Sequence, residues 1–147
     1  MGYIKIIIGK DLSGIDQTFR NSIDAMFRMN PLSTLSHHAW RPQTDIYETD
    51  TEIIITCELA GVRLEDIHVE TDRRALKVYG QRRESRRQSD GSYLLAEIPS
   101  GYFERLFPLP SPIDLDAVKA SYDDGLLQIN VQKLSPNHTR NFTVRSL

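Results

Sequence analysis

VKASYDDGLLQINVQ, residues 118–132, decides the fold. In an extended chain side chains alternate between two faces. Val118, Ala120 and Tyr122 fall on one face, and Leu127, Ile129 and Val131 then alternate cleanly with Gln128, Asn130 and Gln132. Between the two runs lies Asp123-Asp124-Gly125, residue types that accept the backbone conformations of a tight turn. The period is that of half-buried strands, not of a helix.

Working outward, the same pattern recurs. Ile53, Ile55, Cys57 and Leu59 share one face of a β-branched run from Thr51 to Leu59. Ile67 to Thr71 reads as a short strand, and Ala75 to Arg82 as another with Leu76 and Val78 on one face. Turn signals separate these runs at Ala60-Gly61, Asp72-Arg73, Asp90-Gly91, Pro110 to Pro112 and Asp124-Gly125. Short strands with one apolar face and regular turns predict an all-β, immunoglobulin-like antiparallel β-sandwich over residues 43–133.

In SGYFERLFPLP, residues 100–110, Phe103, Arg105, Phe107 and Leu109 fall on one face. That face looks like core, yet it carries Arg105. A buried charge without a partner is costly, so Arg105 calls for a partner or a partly open interface.

The connection from Gly80 to Ser100 is too long for a hairpin, since structureless loops beyond about 12–15 residues are uncommon unless they have a role. It carries QRRESRRQSDG and then the strand-like SYLLAEI, residues 92–98. Tyr93, Leu94 and Leu95 are sticky residues for a solvated arm, and a strand on a long arm can complete a neighbour's sheet edge. This predicts an arm exchanged between two subunits. The arginines 82, 83, 86 and 87 could form a nucleic-acid patch, but no aromatic platform is interleaved with them. They read instead as charges that keep the arm soluble.

Residues 1–42 form an N-terminal arm. After the apolar patch YIKIII, Ile15, Phe19, Ile23, Met26 and Phe27 recur at helical spacing, which predicts an amphipathic helix ending at Asn30-Pro31. The pattern fits packing on its own domain and packing on another subunit or client alike. PLSTLSHHAWRP, residues 31–42, reads as a linker. Residues 134–147 form a polar tail that reads as flexible, with Phe142 and Val144 on one side of an extended chain.

The 147 residues suit one domain with extra at its ends. A net charge of −2 gives no global pull toward nucleic acid or an anionic membrane. Cys57 is the single cysteine, which fits a reducing compartment. Ile4 to Ile8 is interrupted by Lys5 and too short for a signal core, and no apolar run approaches the ~18 residues of a membrane helix. The chain reads as soluble and cytoplasmic.

No arrangement of reactive groups reads as an active site. Cys57 lies on the apolar face of a strand as a small hydrophobe. His37 and His38 are adjacent rather than spaced for a metal, and His68 and His138 are isolated. Phosphate loops and G-x-S-x-G are missing. The expectation is a protein that is not an enzyme, with no cofactor and no metal.

Four segments in order resemble the small heat-shock proteins and their shared alpha-crystallin domain. WRPQTDIYETD, residues 40–50, looks like that domain's opening; ELAGVRLEDIHVE, residues 58–70, looks like its E-L-A/P-G-V segment. GYFERLFPLP, residues 101–110, matches G-x-F-x-R-x-F-x-L-P, and ASYDDGLL, residues 120–127, matches A-x-x-x-D/N-G-x-L. The long loop looks like the bacterial and plant type, whose arm is swapped between dimer partners.

The resemblance implies an ATP-independent holdase that binds unfolded client proteins until ATP-dependent refolding chaperones take over. It implies client-binding residues Ile6, Ile7, Ile8, Phe19, Ile23 and Phe27. It implies an edge groove at Ile67, Val69, Val118 and Ala120, and a dimer interface at Tyr93, Leu94, Leu95 and Arg105, the arginine bonding an acidic group across or beside it. The family's tail motif, I-x-I/V, would be represented by Phe142-Thr143-Val144, whose bulkier Phe departs from the pattern and points to looser assembly. The runner-up is a CS-domain-like co-chaperone that binds a folded chaperone, against which the arm and the G-x-F-x-R-x-F motif argue. A carbohydrate-binding sandwich is remote, because the single tryptophan, Trp40, lies in the linker.

Overall fold

The computed structural model describes residues 4–8, 39–84 and 89–134. Eight strands are found there: β1 (Ile6–Ile8), β2 (Thr44–Glu48), β3 (Glu52–Glu58), β4 (Ile67–Thr71), β5 (Ala75–Arg82), β6 (Gly101–Pro108), β7 (Lys119–Asp123) and β8 (Leu126–Gln132). They make two four-stranded sheets, in the orders β1-β4-β5-β6 and β2-β3-β8-β7. Every pair is antiparallel except β1, which runs parallel to β4 with Ile6 opposite Val69. The predicted sandwich is therefore present, with one parallel strand added at an edge.

The alternation that predicted the strands also builds the core. Ile53, Ile55 and Cys57 of β3 and Leu127, Ile129 and Val131 of β8 have no solvent exposure. They belong to one buried cluster with Val69 of β4, Leu76 and Val78 of β5, and Phe103 and Phe107 of β6. Each such side chain taken out of water stabilises the fold by about 1.5–3 kcal/mol before the entropy cost of ordering it.

Two glycines are required by geometry. At the β7–β8 hairpin Asp124 has φ 48° and Gly125 φ 84°, the left-handed pair of a tight turn, and a Cβ on Gly125 would press on Ala60. Gly80 of β5 sits against the Asp66 carbonyl and the Phe103 ring, so a Cβ there would collide with backbone. The β4–β5 turn is held by Asp72, whose Oδ1 accepts from the amides of Arg74 and Ala75 at 2.6 and 2.7 Å.

The predicted helix around Phe19 and Ile23, and the tail from residue 135, lie outside the described residues. The linker assignment for Trp40 is corrected. Trp40 docks beside β6: its amide donates to Tyr102 O at 3.0 Å and its carbonyl accepts from the Glu104 amide at 3.3 Å. A proline two residues on breaks the pairing, and the chain crosses to the other sheet as β2. No strand forms among the described residues of 89–100, although SYLLAEI has strand character. A strand needs a partner, and this segment pairs with no strand among the described residues.

Candidate functional site

The four strand edges of the sandwich are finished in different ways. The β4 edge is covered by β1, and Ile4 and Ile6 pack against the core while Ile7 and Ile8 stay largely exposed. The β6 edge is partly covered by the segment at Trp40. The β7 edge is open, but Lys119, Ser121 and Asp123 alternate along it as exposed polar residues, a pattern that discourages further pairing. Among the described residues the β2 edge is open too, and between Asp45 and Glu48 it carries two exposed large apolar side chains, Ile46 at 42% and Tyr47 at 66%. Edges of this last kind recruit another strand.

The structure brings together two sets of residues that the sequence treated separately. Ile6, Ile7 and Ile8, expected to bind clients, lie in register on Val69, Glu70 and Thr71 of the strand expected to line the edge groove. Ile67 and Val69 themselves are buried in the core, while Val118 and Ala120 are partly buried against it. Arg105 of β6 bonds Pro42, which precedes β2, so β6 lies on the β2 side and β4 on the β7 side. Phe19, Ile23, Phe27, Phe142 and Val144 lie outside the described residues.

The long connection between β5 and β6 presents its apolar residues to solvent. Leu94 is fully exposed, Ile98 84% and Leu95 74%, and Tyr93 is more than half exposed. Four such side chains within six residues would be a poor design for an isolated chain.

Arg105 lies on the core side of β6, opposite the buried Val78. Its Nη1 donates to Pro42 O at 2.9 Å, its guanidinium lies 5.2 Å from the Phe107 ring centroid, and Nε is buried without a hydrogen-bond partner. Burial, and after it the nearby Arg41, pull its pKa down. Among the described residues no carboxylate pairs with it, and its hydrogen-bond acceptor within the chain is a backbone carbonyl. The reason is topological, since the chain crossing between sheets at Pro42 already delivers an acceptor there.

The arginines at the root of the arm are not simply solvated. Arg83 Nε pairs with Asp66 at 2.8 Å and its Nη2 with Glu65 at 3.2 Å, and the Arg83 contact holds the Asp66 carboxyl below the usual carboxylate range. Arg82 lies 4.1 Å from the Trp40 ring centroid and donates to Pro99 O at 2.9 Å. The Trp40–Arg82 contact escaped the sequence reading because it joins residues far apart in the chain. The signal that could have found it is the Trp-Arg-Pro run, where an aromatic precedes a strand-breaking proline. The edge strand β2 was missed too, although Thr44, Ile46 and Glu48 alternate with Asp45 and Tyr47.

Cys57 is buried, accepts from Thr44 Oγ1 at 3.4 Å, and has its thiol pKa pushed up mainly by that burial. These are the surroundings of a packed thiol, not of a nucleophile. Among the described residues, no group of His, Cys, Asp and Glu is placed to hold a metal ion, and no helix is long and apolar enough to cross a membrane.

Comparison with known proteins points one way. Residues 45–145 match the model of the "Hsp20/alpha crystallin family". The chain is 32% identical over 115 residues to small heat shock protein C2 of Rickettsia felis, covering 78% of this chain and 75% of that protein. It is 38% identical over 93 residues to the 17.8 kDa class II heat shock protein of Zea mays, covering 63% of this chain and 57% of that protein. Among solved structures, a small heat-shock protein from Xylella fastidiosa superposes with a TM-score of 0.63 at 29% identity, over 73% of this chain and 98% of that one. Heat shock protein 16.0 from Schizosaccharomyces pombe gives 0.61 at 27% identity, over 73% and 99%.

Proposed function

The chain belongs to the Hsp20/alpha crystallin family, whose members are generally chaperones, and from that premise we propose that it is an ATP-independent holdase. It binds partly unfolded proteins in the cytoplasm, suppresses their aggregation and leaves refolding to ATP-dependent chaperones. Nothing in this activity needs a covalent step, a cofactor or a metal. Binding needs apolar surface and strand edges that match those of an unfolding client, kept covered until they are wanted.

The observation that carries this reading is the laying of β1 on the β4 edge. Only three residues pair there, and Ile7 and Ile8 remain exposed. Such a contact is weak enough to open. Opening frees the isoleucines 6–8 and the β4 edge beside Val118 and Ala120 together, and Phe19, Ile23 and Phe27 add to the same client surface. The arm, with Tyr93, Leu94 and Leu95, adds to the β2 edge of a second copy, where Ile46 and Tyr47 offer apolar complement. Arg105 ties β6 to the segment before β2 through its bond to Pro42 O and so stiffens the side of the sandwich beside that interface. Phe142 and Val144 anchor the tail on a neighbour's edge, so larger assemblies form by mass action.

Light scattering of a heat-labile reporter enzyme, without nucleotide, tests the activity. Suppressed aggregation near equal subunit ratios is expected. Unsuppressed aggregation at temperatures where this protein itself stays soluble refutes the holdase reading.

A further inference from the structure

The arm leaves the sandwich through a neck where three chain segments meet on one pair of side chains. Arg82, the last residue of β5, stands opposite Gly101, the first residue of β6. Its Nη1 donates to Pro99 O at 2.9 Å, so a side chain on the outgoing strand bonds the returning one. Its Cζ lies 4.1 Å from the Trp40 ring centroid. The Trp40 Nε1 donates to Gly101 O at 3.1 Å, and the ring also packs on Phe103 with centroids 5.2 Å apart. Gly101 has φ 84° and open space where a Cβ would stand, so the sharp return is set by the backbone alone.

Other ties at the neck lie in solvent. Ser100 Oγ donates to Glu84 at 3.0 Å, and Arg83 reaches Asp66 and Glu65. Exposed ion pairs of this kind contribute little. The Trp40–Arg82 contact differs, because Trp40 is part-buried and Arg82 Nε is buried with no hydrogen-bond partner. With that nitrogen unbonded, the guanidinium depends on the ring and on Pro99 O. Arginine suits the position because one planar group can stack and donate at once.

Trp40 is also where the chain docks on β6 before crossing to β2. We infer that Trp40 and Arg82 form a clasp that controls the exchange arm. Stacked, the clasp closes the neck and aims the arm at a neighbour; unstacked, the Arg82–Gly101 end of the ladder frays and the arm swings free. This rests on the arm-exchange reading above.

The test uses the full chain and substitutes Arg82→Met, which keeps the stem and removes the charge, and Arg82→Lys, which keeps a charge over the ring. Subunit exchange between isotopically light and heavy protein is followed by native mass spectrometry. Arg82→Met speeds exchange about tenfold, the scale of one partly desolvated cation–π contact, with Arg82→Lys between it and the parent chain. The emission of Trp40 shifts to the red in Arg82→Met, while the unfolding midpoint falls by no more than the loss of one such contact explains. Parent-like exchange and emission in Arg82→Met overturn the clasp while leaving arm exchange intact. A parent chain that is monomeric at all concentrations refutes arm exchange instead. The clasp is then decided by amide exchange at Glu104, whose donor bond to Trp40 O should open faster in Arg82→Met; unchanged exchange there overturns it.

Discussion

At one end of the sandwich β4 is covered by β1 of the same chain; at the other, β2 lies bare with Ile46 and Tyr47 in solvent. Both ends pose the same problem, a row of unpaired backbone groups beside an apolar core. The β4 end is finished locally, by three residues that the chain itself brings. No strand among the described residues covers the β2 end, and the same chain holds out an arm of exposed Leu94, Leu95 and Ile98. On the proposed function, the first end stores a sticky surface and the second receives the arm of another copy.

The comparison can be broken first at Gly80. A Cβ there collides with the Asp66 carbonyl and the Phe103 ring, neither of which can move without disturbing the core. Gly80→Ala is expected to cost on the order of 3 kcal/mol, from overpacking against backbone. Urea unfolding reads it; a loss below about 1 kcal/mol would mean that the packing under β4 is softer than described.

A smaller effect sharpens the account of the closed end. Ile6→Asp places a charge where an isoleucine packs against the core and should release β1. The expected loss in stability is about 1–2 kcal/mol, the scale of one partly buried side chain. Aggregation suppression should rise at the same time. Falling suppression would show that Ile6 serves clients directly more than it covers β4.

The smallest effect is the pH dependence of the tie between Arg83 and the turn before β4. Asp66 is held below its ordinary pKa by Arg83, so its folded value lies under its unfolded value of about 3.9. The stabilisation is therefore present above about pH 4 and is lost as pH falls through the lower folded value. Asp66→Asn should flatten the acid limb by lowering stability slightly above about pH 4 and leaving it unchanged at lower pH, a small effect because the Arg83 side of the pair is half exposed.

Much of this was legible in the residues, and what was not has physical reasons. The strands β4 and β5 begin and end where alternation places them, because both feed the core directly and the pattern of burial is strict. The strand β2 was harder to see, since four of its five residues are exposed and burial hardly marks it. The pairing of β1 with β4 joins residues about sixty positions apart, and in a run of three isoleucines no alternation announces which side faces inward. Arg105 was legible as a charge in need of a partner, but the partner is a carbonyl at the crossing near Pro42. Backbone acceptors carry no signature in sequence. The arm read as a strand because its composition is that of one; it pairs with no strand among the described residues.

The contrast between the two edges is tested most directly by amide hydrogen exchange across a range of protein concentrations. Protection of β2 and of residues 92–98 should rise with concentration, as second copies dock on the open edge. Protection of β4 should stay independent of concentration, because β1 of the same chain covers it. Concentration-dependent protection at β4, or its absence at β2 and the arm, would contradict the account.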